Sequence, residues 1–137
     1  MSKHLITFVC SLLMAVAIVY ASDPEQDKPA GPQLKFDQPV YNYGTAYVDS
    51  MPDTKLEIPF SNSGSQPLIL SNVRACCGTR VTQWPREPIA PGEKGVINIE
   101  FRLAPRAQRI SRTVTVTSNS ETNPTAVFRI QGEIVER

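Results

Sequence analysis

The sequence predicts an all-β protein, a single antiparallel sandwich behind a removable leader. Three observations carry that expectation. Beyond the first stretch of the chain, apolar residues alternate with polar ones over short runs, the period of a strand with one buried face. Turn-forming Gly, Pro, Asn and Ser clusters separate those runs at intervals of roughly 8–12 residues. No stretch there repeats apolar residues at spacings of three and four over several turns, as an amphipathic helix would.

The 137-residue chain opens with Lys3, followed by an almost wholly apolar stretch from Leu5 to Tyr20 that only Thr7 and Ser11 interrupt. Val19-Tyr20-Ala21 then offers small or β-branched residues where a signal peptidase reads, ahead of polar Ser22-Asp23-Pro24. Residues 1–21 therefore read as a secretory signal peptide cleaved after Ala21. An uncleaved anchor fits less well, because the run falls short of the roughly 18–20 residues that cross a bilayer. Cys10 lies inside the apolar run rather than at the cleavage site, so it reads as a small hydrophobe and not a lipid acceptor. The expected compartment is extracytoplasmic, periplasmic or secreted, with no membrane span once the leader is removed.

Residues 22–33, SDPEQDKPAGPQ, carry three prolines, four charges and no large apolar side chain, the composition of a flexible linker. Residues 34–136 hold the strands. Lys55 to Phe60 turns Leu56, Ile58 and Phe60 to one face, and Ser61 to Ser65 breaks the run. Pro67 to Cys76 contributes Leu68, Leu70 and Val73. Ala90-Pro91-Gly92-Glu93 is a turn, with Pro presetting φ and Gly accepting a positive φ. It leads into Val96 to Phe101, where Ile97, Ile99 and Phe101 alternate with Asn98 and Glu100. Arg112 to Thr117 places Val114 and Val116 inward, and Ser118 to Pro124 is a polar turn. The last run puts Ala126, Phe128 and Ile130 on one face and continues to Ile134. About seven such strands without an internal repeat define a single immunoglobulin-like sandwich.

Charge and residue usage restrict the chemistry. Lys3 is the one basic residue of the leader, so 13 of the 14 basic residues remain against 13 acidic ones. A formally neutral domain has no electrostatic reason to bind nucleic acid or an anionic membrane surface. The single histidine, His4, lies in the leader. The remainder therefore lacks His-based general acid–base catalysis, a Ser-His-Asp triad and His-containing zinc sites.

Cys76 and Cys77 are the residues with soft-ligand or redox chemistry. Two adjacent thiolates suit a soft cation such as Cu(I), and a disulfide between neighbours is strained and hence reducible. On a regular strand the two side chains point to opposite faces, so both reach one ion only if the backbone bends, which Gly78 permits. The simpler reading is one buried small hydrophobe and one exposed thiol. Trp84 reads as a cap on the core rather than a binding surface. Arg102, Arg106, Arg109 and Arg112 crowd one connection, as an anion-binding loop or as a solvated face. Asp49, Asp53 and Glu57 are too irregular for a calcium loop.

Several stretches resemble known families. Phe60-Ser61-Asn62-Ser63-Gly64-Ser65-Gln66-Pro67-Leu68 resembles the F-x-N-x-G-x-x-P-L pattern of hydin-type and major-sperm-protein-like immunoglobulin domains. Trp84 to Gly95, Val114 to Asn119 with Asn123-Pro124, and Phe36 followed by Tyr43-Gly44-Thr45 resemble a bacterial family of exported modules, domain-of-unknown-function family 1573. Members typically carry Cys-Gly-Cys ahead of the Trp-Pro. Here Cys77 and Gly78 match, Thr79 takes the place of the second cysteine, and Cys76 precedes them. The resemblance implies an interaction module without catalytic activity or cofactor. The expected function is an exported, non-enzymatic binding or structural module that contacts an unidentified protein partner. The alternative is an extracytoplasmic thiol-redox or Cu(I)-binding protein using Cys76 and Cys77 as ligands.

Overall fold

A computed structural model describes residues 29–137; the signal peptide and most of the linker expected from the sequence lie outside the described residues. Eight strands follow in chain order: β1 (Leu34–Phe36), β2 (Val40–Tyr47), β3 (Lys55–Asn62), β4 (Leu70–Ala75), β5 (Thr79–Gln83), β6 (Lys94–Phe101), β7 (Gln108–Ser118) and β8 (Thr125–Val135). They form two four-stranded sheets, ordered β1-β3-β6-β5 and β2-β8-β7-β4. The first is the A-B-E-D order of a constant-type immunoglobulin domain. The second is its G-F-C order with β2 added outside β8. Among the described residues no helix is long and apolar enough to cross a membrane.

The alternation read from the sequence is what joins the sheets. Ile58, Phe60, Ile97, Ile99 and Phe101 point inward from one sheet, and Ile110, Val114, Val116, Phe128, Ile130 and Ile134 meet them from the other, all essentially excluded from solvent. Cross-strand register matches bulk. Ile58 lies opposite Ile97 across β3 and β6, while Val114 faces Phe128 and Val116 faces the smaller Ala126 across β7 and β8. Each fully buried side chain of this size contributes roughly 1.5–3 kcal/mol of apolar transfer, which is how a domain without a described disulfide holds together.

Two strands exceed the sequence expectation. β5 joins the edge of the first sheet beside β6, and β2 runs parallel to β8, whereas every other ladder is antiparallel. Pro39 marks the change of sheet. It has no N–H to extend the β1 ladder, and its carbonyl accepts the N–H of Arg129 at 3.0 Å to begin the new one. The packed chain also begins before β1. Gly31, Pro32 and Gln33, which composition placed in the linker, are buried. Gln33 O accepts Ser63 N at 2.9 Å, and Pro32 O accepts Glu121 N at 3.1 Å.

The turn expected at Ala90 to Glu93 is closed by Glu93 N donating to Ala90 O at 2.9 Å. Leu68 and Ile89 bridge the two flanking loops through reciprocal bonds of 2.9 and 2.8 Å. Both side chains then enter the core.

Candidate functional site

The two cysteines lie where the chain passes from one sheet to the other. β4 pairs with β7, and Cys76 adds one more rung to that ladder by donating its N–H to Thr113 O at 3.1 Å. Three residues later Thr79 starts β5 opposite Phe101 in the other sheet. The whole crossing is made by Cys76-Cys77-Gly78-Thr79, closed by Thr79 N donating to Cys76 O at 3.1 Å. Cys77 has φ 56° and Gly78 φ 74°. Positive φ at both central residues is the signature of a type I′ turn, which favours Asn-Gly, Asp-Gly or Gly-Gly. Gly78 meets that demand without steric cost, whereas Cys77 carries a Cβ into the left-handed region at roughly 1–2 kcal/mol.

The chain does bend at this point, through Cys77 and Gly78. Both cysteines are free thiols; Cys76 is half-buried and Cys77 exposed. Cys76 Sγ accepts two hydrogen bonds from Thr113, from its backbone N–H at 3.3 Å and from Oγ1 at 3.2 Å. Burial pushes the Cys76 thiol up, but hydrogen bonds from the Cys77 thiol and Thr113, together with the Arg112 charge, outweigh it and hold Cys76 below the ordinary thiol value. Cys77 is pushed above that value, chiefly by its hydrogen bond to Cys76.

Arg112 is the one arginine of the four whose charge acts on the two thiols. It occupies the inward series of β7 between Ile110 and Val114, and its Nε is buried without a protein partner. The others are dispersed. Arg106 is exposed on the β6–β7 connection, and Arg109 is exposed in register with Glu133. Arg102 lines a shallow depression of about 290 Å³ behind the turn with Gly78, Arg80 and Glu100. An ion pair of 3.8 Å between Arg80 and Glu100 tempers the positive charge there. The four arginines do not form one anion-binding loop.

Trp84 packs against the core, and the Arg86 guanidinium stacks over its ring at 3.7 Å. Asp49 pairs with Arg137 at 3.7 Å, and Asp53 Oδ1 accepts Lys55 N at 3.0 Å, both ordinary structural uses of a carboxylate. Among the described residues no group of three or more His, Cys, Asp or Glu side chains is placed to hold a metal ion.

Sequence reasoning missed the β2 edge. Tyr41 and Tyr47 are exposed on it, as is Val40. Tyr43 turns inward to meet Phe101 edge-on at 5.8 Å and donates its hydroxyl to Asp53 O at 2.9 Å. Burial raises the Tyr43 phenol to about 12, with Tyr41 and Asp53 adding to the shift.

Strand order and sheet crossing together define an immunoglobulin-type β-sandwich module. Residues 34–134 match the model of the family described as protein of unknown function (DUF1573), and the chain belongs to that family. Among solved structures it is similar to a protein of unknown function from Porphyromonas gingivalis, with a TM-score of 0.61 and 17% identity over 82% of this chain and 51% of that one. It is also similar to the secreted serine protease VesC from Vibrio cholerae, with a TM-score of 0.57 and 11% identity over 79% of this chain and 24% of that one. A third likeness is to the CupB2 chaperone of Pseudomonas aeruginosa, at TM-score 0.50 and 12% identity over 72% and 54%. At these identities the likeness is one of fold. The chain spans about half the length of the Porphyromonas protein. A search of curated protein sequences gave no match.

Proposed function

We propose that the domain is an extracytoplasmic, non-enzymatic module that engages a protein partner by strand pairing along the open edge of β2. The observation that carries this reading is the contrast among the four sheet edges. β2, β4 and β5 each contain a register shift, so the edges differ in length and charge: β1 has three residues and bears Lys35, and β4 and β5 have six and five and bear Arg74 and Arg80. Short length and charges are devices that blunt an edge against pairing. β2, VYNYGTAY, runs for eight residues without a charged side chain, and its exposed aromatics resemble those enriched at interfaces. The apolar leader supports export, and the resemblance to hydin-type and sperm-protein-like domains supports a contact role.

Because Arg129 N–H binds Pro39 O, backbone groups at 39 and 41 turn toward β8 and those at 40 and 42 face outward. A photoreactive residue at position 40 should then cross-link a second polypeptide in the export compartment, and one at position 35 on β1 should not. Equal yields from both positions, or none from position 40, would overturn the reading. Thiol chemistry at Cys76 and Cys77 is the second reading. It is favoured by the hydrogen bonds on Cys76 Sγ, whereas Cu(I) binding would further need both sulfurs on one ion.

A further inference from the structure

We propose that Cys76 is a covalent attachment site that forms a lasting mixed disulfide with a disulfide-bearing molecule, and that Cys77 does not act as a resolving thiol. Geometry supplies two parts of this. Thr113 aims two donors at Cys76 Sγ, N–H at 3.3 Å and Oγ1–H at 3.2 Å, an arrangement that stabilises negative charge on sulfur. The turn carries the pair to a sheet-crossing tip where Cys77 is exposed and Cys76 half-exposed.

The thiolate is the nucleophile in disulfide exchange, and thiols beside cations and donors hold that form most readily. Cys76 carries two such donors on its sulfur, and the shift of its thiol runs in the same direction. Cys76 S⁻ attacks one sulfur of R–S–S–R′, the S–S bond breaks, Cys76–S–S–R forms, and R′–S⁻ leaves and takes a proton from solvent. One thiol is oxidised and one half of the incoming disulfide is reduced.

In a dithiol oxidoreductase the second cysteine would then expel R. Here the neighbours' Cα atoms lie about 3.8 Å apart across a trans peptide, below the usual disulfide range of about 4.4–6.8 Å. That strain disfavours the Cys76–Cys77 bond, so the adduct persists. A cysteine stands at a left-handed position that favours Asn, Asp or Gly, and such departures concentrate at functional sites. The proposal does not rest on the β2 edge, and each can fail alone.

The test uses the fully reduced protein with glutathione disulfide as the probe, an acid quench, intact mass and peptide mapping. One glutathionyl group per chain is expected, on Cys76, and it stays there on prolonged incubation. Cys77→Ser should react within about threefold of the parent, whereas Cys76→Ser should slow by roughly tenfold or more. Thr113→Val removes the Oγ1 donor and should slow the reaction about threefold. Thermal unfolding of each variant separates loss of the fold from loss of reactivity. Attachment at Cys77, a product two hydrogens lighter that carries no glutathione, or an undiminished rate in folded Thr113→Val would each overturn the proposal.

Discussion

The side-chain carbonyl of Asn62 accepts the backbone N–H of Gln33 at 3.2 Å, tying the first packed residues of the chain to the end of β3. The same oxygen accepts Gly64 N at 3.0 Å, and the amide nitrogen donates to Gln66 O and Ile89 O at 2.6 and 2.9 Å. Two lone pairs and two N–H groups are thus all used, which allows a polar side chain to be fully buried at 0% exposure. The asparagine of the F-x-N-x-G-x-x-P-L pattern is a structural hub that joins the N-terminal segment, its own turn and the loop before β6.

Asn62→Ala should lower the unfolding free energy by about 3 kcal/mol or more, since several backbone groups lose their partner in a dry site at about 1–3 kcal/mol each. Asn62→Asp should be comparably harmful, because it keeps the acceptor but loses both donors. Urea denaturation of the two variants measures this. A loss below about 1 kcal/mol would mean that water replaces the side chain and that the hub is not structural.

Gly64 is fixed by contact rather than by dihedral angle. A Cβ there would lie 2.0 Å from Gly31 O and 2.8 Å from Gln33 N. Gly64→Ala must push the 31–33 segment off the sandwich, at a cost of about 1–3 kcal/mol for overpacking. Amide exchange at Ser63 and Ser65, which donate to Gln33 O and Gly31 O, should accelerate well beyond that of the β7–β8 ladder. Uniform acceleration across the domain would instead indicate global destabilisation.

How far the sequence could be read followed from burial. Ile58, Phe60, Ile97, Ile99, Val114, Val116, Phe128 and Ile130 lie on central strands with one dry face, so period-two alternation locates them directly. β5 carries one large apolar residue, Val81, and is held by its ladder to β6, so no pattern announces it. β2 has aromatics at 41, 43 and 47 and a register shift between Asn42 and Thr45, which erases alternation at an edge. Arg112 shares the parity of the inward residues 110, 114 and 116, but a charged side chain in that series gives no apolar signal by which to place it. Asn62 lay in a polar stretch, and its partners, 29 residues earlier and 27 later, are visible only in three dimensions. At Cys77-Gly78 the glycine signalled a bend, but a cysteine does not signal a type I′ position.

Tyr43 should give the fold an alkaline transition. Its phenol is raised to about 12 in the folded chain against an ordinary 10.0, so the folded state holds the proton more tightly than the unfolded one. The stabilisation is whole below pH 10 and is lost as pH rises through 10 towards 12. Ultraviolet titration should resolve a tyrosine that ionises well above the ordinary 10.0. Tyr43→Phe should abolish both that late step and its share of the alkaline loss of stability, while also losing the bond to Asp53 O. A late step that survives in Tyr43→Phe would assign it to another tyrosine.

The turn at Cys77 should be improvable at the expense of its chemistry. Cys77 sits at φ 56° and Gly78 at φ 74°, and Asn-Gly is the pair that type I′ geometry favours most strongly. Cys77→Asn should therefore stabilise the domain by roughly 0.5–1 kcal/mol, a fraction of the roughly 1–2 kcal/mol that a left-handed conformation costs an ordinary residue. In a domain of this size that is a rise in Tm of about 2–6 °C. Gly78→Ala should act in the opposite sense: nothing lies within 4 Å of its added Cβ, so any loss reports backbone strain alone. Calorimetry on the two variants separates the contributions. A gain in Cys77→Asn together with a loss in Gly78→Ala would show that the turn holds its cysteine against local preference. If Cys77→Asn instead destabilised the domain, the Cys77 side chain would be contributing more to the fold than it loses in backbone strain, and stability rather than reactivity would account for its presence.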